Sequence, residues 1–144
     1  MIIYRERVLP SAGNLALPAI LFFTVLAIML PINSDFAAAI ALVISLAFLA
    51  LMFVSAPVIE LTEHALTCRG ASIDRKFIGE IKVIEKTEKF AELGMKLDAR
   101  AWLSIQSSVA GLVRLGITDP EDQTPYWLVS SRKPETLVKL LKNA

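Results

Sequence analysis

The chain has 144 residues, is 55% hydrophobic and has a mean hydropathy of +0.58, which is too apolar for an ordinary soluble domain. Fifteen Lys and Arg against fourteen Asp and Glu leave a formal charge of +1, so the chain lacks the basic field that nonspecific nucleic-acid binding requires. One histidine, His64, and one cysteine, Cys68, exclude a zinc cluster built within the chain and an internal disulfide.

After a short start containing Tyr4-Arg5-Glu6-Arg7 come two apolar runs, Leu15 to Ile32 and Phe36 to Val54, parted by Asn33, Ser34 and Asp35. Hydrocarbon offers backbone groups no partners, so runs of this length satisfy their own as spanning helices. The second run, at about 1.5 Å per residue, reaches roughly 28 Å, close to the ~30 Å of a bilayer core. Its Leu, Ile, Val and Phe residues favour insertion by roughly −3 to −6 kcal/mol, which Ser45 does not overturn. Pro18 and Pro31 stand near the ends of the first run, where a missing N–H matters least; a helix starting near Ser11 would be kinked at Pro18. A signal peptide would want a shorter apolar core and a soluble chain behind it, whereas here a second span follows at once.

Three connecting residues join only antiparallel neighbours, so the runs predict a helical hairpin with both ends on one side. Arg5 and Arg7 flank it, the connection has no Lys or Arg, and thirteen of the fifteen basic residues follow Val54. The positive-inside rule then places both ends in the cytoplasm. Neither run holds an Asp, Glu, Lys, Arg or His, the groups that transport or proton relay needs at depth. Thr24 and Ser45 read as back-bonded or packing residues, and Ala37, Ala38, Ala39, Ala41, Ser45 and Ala47 give the second helix a close-packing face.

Beyond Pro57 the pattern changes to short two-residue alternation bounded by turn residues. Seven strands are predicted, at Val58 to Thr62, Leu66 to Arg69, Ala71 to Asp74, Ile78 to Lys86, Ala101 to Gln106, Leu112 to Thr118 and Tyr126 to Ser130. Glu88 to Leu97 stays open between helix and loop: Phe90, Leu93 and Leu97 recur at helical spacing and Gly94 interrupts them. A last helix starts at Pro134, with Glu135 at its N-terminal end, Lys139 and Lys142 at the other, and Leu137, Leu140 and Leu141 on one stripe. The predicted fold class is a membrane α-helical hairpin followed by a small β-rich, pleckstrin-homology-like barrel with a C-terminal α-helix. Its domains are a cytoplasmic N-terminal segment, 1–13; the two transmembrane helices, 14–56; and the cytoplasmic barrel, 57–144.

Two stretches carry a resemblance: Tyr4-Arg5-Glu6-Arg7 ahead of the spans, and Asp119-Pro120-Glu121-Asp122-Gln123-Thr124-Pro125-Tyr126-Trp127-Leu128-Val129-Ser130-Ser131-Arg132-Lys133-Pro134-Glu135 near the end. Together they resemble an actinobacterial two-span membrane protein family of unknown function, domain of unknown function 3093, over nearly the whole chain. The chain departs from that pattern at Gln123, where proline is usual, and at Ser131, where threonine is common. The resemblance implies an actinobacterial plasma membrane and a pleckstrin-homology-like cytoplasmic domain, and implies no activity.

The candidate membrane-interface or partner contacts are Tyr4, Arg5, Arg7, Tyr126, Trp127, Arg132 and Lys133. Tyr4, Arg5 and Arg7 suit the headgroup region; Arg5 or Arg7 can instead reach Glu60 or Glu63 of the folded domain. Tyr126 and Trp127, like Trp102, are either binding anchors or core. Arg132, Lys133, Lys139 and Lys142 can meet anionic headgroups or form a solvated face. Asp119, Glu121 and Asp122 read as a solvated turn, with Asp122 and Thr124 bonded back to the loop, in preference to a cation site. Cys68 reads as a small strand residue. No catalytic, metal or cofactor site is expected. The predicted function is a noncatalytic, membrane-anchored interaction or scaffold protein, an accessory subunit whose partners are the bilayer and another membrane protein; the alternative is a lipid-binding or lipid-sensing module.

Overall fold

A computed structural model describes residues 1–143 as two compact units, Leu9–Ala56 and the remainder. In the first, a 3-10 turn at Ala12–Leu15 leads into α1, Ala16–Met29, and α2 spans Ser34–Val54. Pro18 falls in the first turn of α1, where its missing N–H has no intrahelical acceptor to lose. Pro31 follows the other end. The connection is therefore Leu30 to Asn33, not Asn33 to Asp35: Asn33 is the N-cap, its side chain accepting from the Phe36 N–H at 3.3 Å, and Ser34 and Asp35 form the first turn of α2.

The two helices pack through small residues. In α2 the buried positions are Ala37, Ala41 and Ser45, four apart on one face, while Leu42, Val43, Leu46 and Leu51 are exposed. Thr24 donates from its hydroxyl to the Ile20 carbonyl at 2.8 Å, the back-bonding expected of it.

The second unit contains a strand that sequence analysis did not anticipate. Residues Ile2–Arg7 form β1, antiparallel to β2, Val58–Thr62, with Arg5 opposite Glu60 and Arg7 opposite Val58. The segment set apart as residues 1–13 thus supplies an edge strand of the β-rich unit, and the helical pair is inserted between two neighbouring strands. At the insertion point the Val8 N–H donates to the Pro57 carbonyl at 2.8 Å, bringing the two strand ends together.

β3, Ala65–Cys68, and β4, Ala71–Asp74, complete a first sheet in the order β1-β2-β3-β4. Arg69 and Gly70 join them with φ of 49° and 83°, the pair of positive values that a tight two-residue hairpin turn demands. The second sheet has the order β5-β7-β8-β6, made of β5, Ile78–Ile84; β6, Trp102–Ser104; β7, Leu112–Ile117; and β8, Tyr126–Ser130. β6 runs parallel to β8 and the other neighbours are antiparallel. No strand of one sheet pairs with a strand of the other among the described residues, so the expected barrel does not close. The chain changes sheet through the 3-10 turn Arg75–Phe77, between β4 and β5.

One core holds this unit together. Ile59, Leu61, Leu66 and Cys68 from the first sheet meet Val113, Leu115, Trp127 and Val129 from the second, with Leu137 and Leu141 from α4, Pro134–Lys142. The alternation along β2 and β3 delivers every second residue to this core. β8 is buried at all five residues because its other face is covered too: Tyr126 and Leu128 join Ile84 and Leu112 beneath Leu93 and Leu97. Leu93 ends α3, Lys86–Leu93, so the stretch left open between helix and loop contributes a short helix.

Candidate functional site

The two sequence stretches that carry the family resemblance meet in space. Glu6 of β1 turns its carboxylate to the segment before α4. Oε2 accepts from the Tyr4 hydroxyl at 2.7 Å and the Ser131 hydroxyl at 2.6 Å, and Oε1 accepts from the Arg132 N–H at 2.6 Å. The Lys133 N–H in turn donates to the Ser131 hydroxyl at 3.0 Å. Burial, followed by the hydrogen bond to Glu6 and its charge, pushes the Tyr4 phenol up to about 12, so Tyr4 remains a donor in this clasp at neutral pH.

Gly111 lets the clasp close. The Ser131 N–H donates to the Gly111 carbonyl at 3.1 Å, and a Cβ at residue 111 would collide with the Ser131 carbonyl and press on the Pro134 ring. At its far end α4 is held by Arg75, whose Nη2 donates to the carbonyls of Leu140 and Leu141 at 3.0 and 2.9 Å. Those carbonyls have no partner within the helix, and a cation there also suits the helix dipole. Both ends of α4 are thus fixed by charged side chains from distant parts of the sequence.

The structure divides the candidate contacts into three groups. Tyr4, Arg132 and Lys133 come together around Glu6 and Ser131. Arg5 forms the ion pair anticipated for it, with Nε 3.0 Å from Glu60 across the β1–β2 ladder, and Arg7 lies exposed on the same strand. Tyr126 and Trp127 are core residues, each only 4% exposed, and do not offer their rings as anchors. The Tyr126 hydroxyl accepts from the Asp98 N–H at 2.8 Å and donates to the Lys96 carbonyl at 3.2 Å; the Trp127 ring lies 6.1 Å from that of Trp102.

The acidic loop behaves as a turn. Asp119 accepts from the Glu121 N–H at 3.0 Å and Asp122 from the Thr124 N–H at 2.8 Å; hydrogen bonding from the Thr124 side chain and backbone holds the Asp122 carboxyl below its usual range. No group of three or more metal-binding side chains gathers among the described residues. Burial pushes the Cys68 thiol up to about 12, far from a reactive thiolate.

Sequence reading missed a charge network beneath α3. Lys82 and Arg114 stand directly opposite on β5 and β7, a repulsive pairing unless answered. α3 answers it with carboxylates four residues apart: Glu88 lies 3.3 Å from Lys82, and Glu92, 2% exposed, lies 3.4 Å from both Arg114 and Lys96. The Arg114 guanidinium also sits 4.0 Å above the Tyr126 ring. Beside this network Glu80, Lys82, Arg114, Gly116, Pro125 and Tyr126 line a polar depression of about 220 Å³. The i, i+4 spacing of Glu88 and Glu92 was the available signal, but it does not say which strand residues they face. Phe90 of α3 and Met95, just past the helix end, are 90% and 95% exposed.

A family model described as Protein of unknown function (DUF3093) matches residues 3–141. The chain belongs to the DUF3093 family. The match runs from β1 into α4, so the Glu6 clasp and the inserted helical pair both lie within the DUF3093 unit. No curated protein and no solved structure matches this DUF3093 chain.

Proposed function

We propose that this DUF3093 protein is a noncatalytic scaffold or interaction subunit of a plasma-membrane complex. α1 and α2 cross the bilayer as a hairpin, and the β-rich unit, a pleckstrin-homology-like head, lies on the cytoplasmic side and contacts another membrane protein. The observation that carries this reading is the reversed packing of the helices. Their large apolar residues, including Ile20, Phe23, Val43 and Val54, face outward, and α2 buries only Ala37, Ala41 and Ser45. Helices with that much outward apolar surface need an apolar surrounding.

The head supports a tethering role in a second way. Both strand ends that lead to the helices are hydrogen-bonded together at Val8 and Pro57, so the anchor joins the head at one place through two chain crossings. The likeness to a pleckstrin-homology head rests on two four-stranded sheets that share a core with one C-terminal helix. Cytoplasmic orientation rests on Arg5, Arg7 and the concentration of basic residues after Val54.

The test has two stages. Alkaline carbonate should leave the full chain in the membrane, and a cysteine introduced at Glu121 should react with impermeant maleimide only after the inner face is opened. Extraction by carbonate, or labelling from outside intact cells, overturns the anchor or its orientation. Purification in mild detergent with mass spectrometry should then yield a stoichiometric membrane companion. Isolation of the chain alone under several mild conditions favours the lipid-sensing reading over the scaffold.

A further inference from the structure

Phe90 and Met95 are, with Met1, the most exposed large apolar residues of the second unit, and they frame Gly94, where α3 ends. The core does not need them: Leu93 and Leu97 point the other way, into the cluster with Tyr126 and Leu128. We infer that Phe90 and Met95 form a second point of contact with the bilayer, inserting at the level of the headgroups and upper acyl chains. This inference rests on the proposed membrane anchor.

Area separates a lipid from a protein occupant. One aromatic side chain buries about 150–250 Å². Two projecting side chains therefore stay well short of the roughly 800 Å² per partner that a stable protein interface needs, whereas shallow insertion into lipid needs no complementary surface. The surrounding charge does not oppose a headgroup layer. Lys86, one helical turn before Phe90 on the same side, is exposed, as are Lys96 and Arg100. Lys96 and Arg100 are taken up by ion pairs with acids, Glu92 and Asp98, as Lys82 is by Glu88, and exposed Glu85 stands next to Lys86. The charge around the two side chains is therefore balanced, which admits an apolar tip to a zwitterionic headgroup layer without a preference for anionic lipid.

Reach is supplied by the tether. A unit of about 100 residues has a radius of gyration near 13 Å, so a head joined to membrane helices at Val8 and Pro57 keeps every part of its surface within a few tens of Å of the headgroups. The local concentration of lipid is then high enough for a contact of two side chains to be populated.

The experiment uses the full chain in nanodiscs with an environment-sensitive fluorophore on Met95→Cys; buried Cys68 does not compete for the label. The same fluorophore on Glu121→Cys, in the exposed loop before β8, is the aqueous control. In phosphatidylcholine discs the label at residue 95 should emit further to the blue than the control, lose most of its quenching by iodide, and be quenched by lipids carrying a nitroxide near the headgroup. Adding Phe90→Asp, a change at a site outside the core, should return the label to the behaviour of the control. Iodide quenching equal to the control, shielding without nitroxide quenching, or an absolute requirement for anionic lipid would each overturn the inference. Carbonate extraction of the same chain separates this failure from failure of the anchor: a protein that resists carbonate with an aqueous label loses only the second contact.

Discussion

The helical pair and the β-rich head are built from similar apolar residues arranged in opposite senses. In the head Ile59, Leu61, Leu66, Leu115 and Leu137 are fully buried, and the charged residues other than Glu92 stand wholly or partly outside. In the helical pair Leu42, Val43, Leu46 and Leu51 are outside, and alanine and serine occupy the interface. Water drives large side chains inward, whereas helices in hydrocarbon, where α1 and α2 are proposed to lie, lack that drive and pack by close backbone approach. The same leucine therefore has different consequences on the two sides of Pro57.

The sharpest way to break this comparison is a pair of truncations. Leu137→Ala in the head should cost about 2–5 kcal/mol, since it empties a site in the shared core. Leu42→Ala in α2 should leave helix packing nearly unchanged. Thermal unfolding of the full chain in nanodiscs, followed by tryptophan fluorescence for the head and by far-ultraviolet circular dichroism for the helices, reads both; equal losses would contradict the reversed packing.

Next in size is Glu6→Ala, which removes the acceptor of three hydrogen bonds, one of them from buried Ser131 and one from half-buried Tyr4. Bonds to a charged group contribute about 1.5–3 kcal/mol each but do not add independently, so a loss of about 2–3 kcal/mol is expected, with the greatest rise in hydrogen exchange at the start of α4. Tyr4 adds a pH signature to the same clasp. Its folded pKa of about 12 lies above the ordinary 10, so its contribution is complete below pH 10 and is lost as pH rises from 10 through 12. Tyr4→Phe should flatten the alkaline side of the stability profile.

Ala41→Leu tests the other unit: a large side chain where the helices touch should force them apart at a cost of about 1–3 kcal/mol, seen as reduced crosslinking between cysteines placed on α1 and α2. The smallest effect belongs to Arg5→Glu. The Arg5–Glu60 pair is largely exposed, and such pairs contribute about 0–1 kcal/mol, so proteolysis of the head should accelerate only slightly. A large acceleration would show that β1 depends on this pair and not on Glu6.

Seven of the eight strands and both long helices were legible in the sequence, for identifiable reasons. Ile59, Leu61, Leu66 and Cys68 alternate with polar neighbours, and Val113 and Leu115 do the same, because each strand has one face on the shared core. β1 escaped because its inward alternation is carried by only two residues, Tyr4 packed against the core and Glu6 held to Ser131 by a hydrogen bond. A carboxylate on the inner face of an edge strand reads as polar surface until its partner, more than a hundred residues away, is known. The sheet change at Arg75–Phe77 was equally hidden, since local pattern does not say which edges pair. Of the candidate contacts, Arg5 to Glu60 was legible as opposite charge at reachable positions. Tyr126 and Trp127 were ambiguous because covering on both faces of β8 removes the alternation that separates core from surface.

The placement of the helical pair between β1 and β2 has a consequence for biosynthesis. The ribosome releases β1 first, then the some fifty residues of the proposed membrane anchor, and only afterwards the strand with which β1 pairs. On the proposed anchor, the head cannot mature ahead of membrane integration, and nascent chains arrested before β2 emerges would display an unmatched strand to proteases and chaperones. A fragment begun at Pro57 would likewise be born without its first strand and without the carboxylate that fastens its last helix.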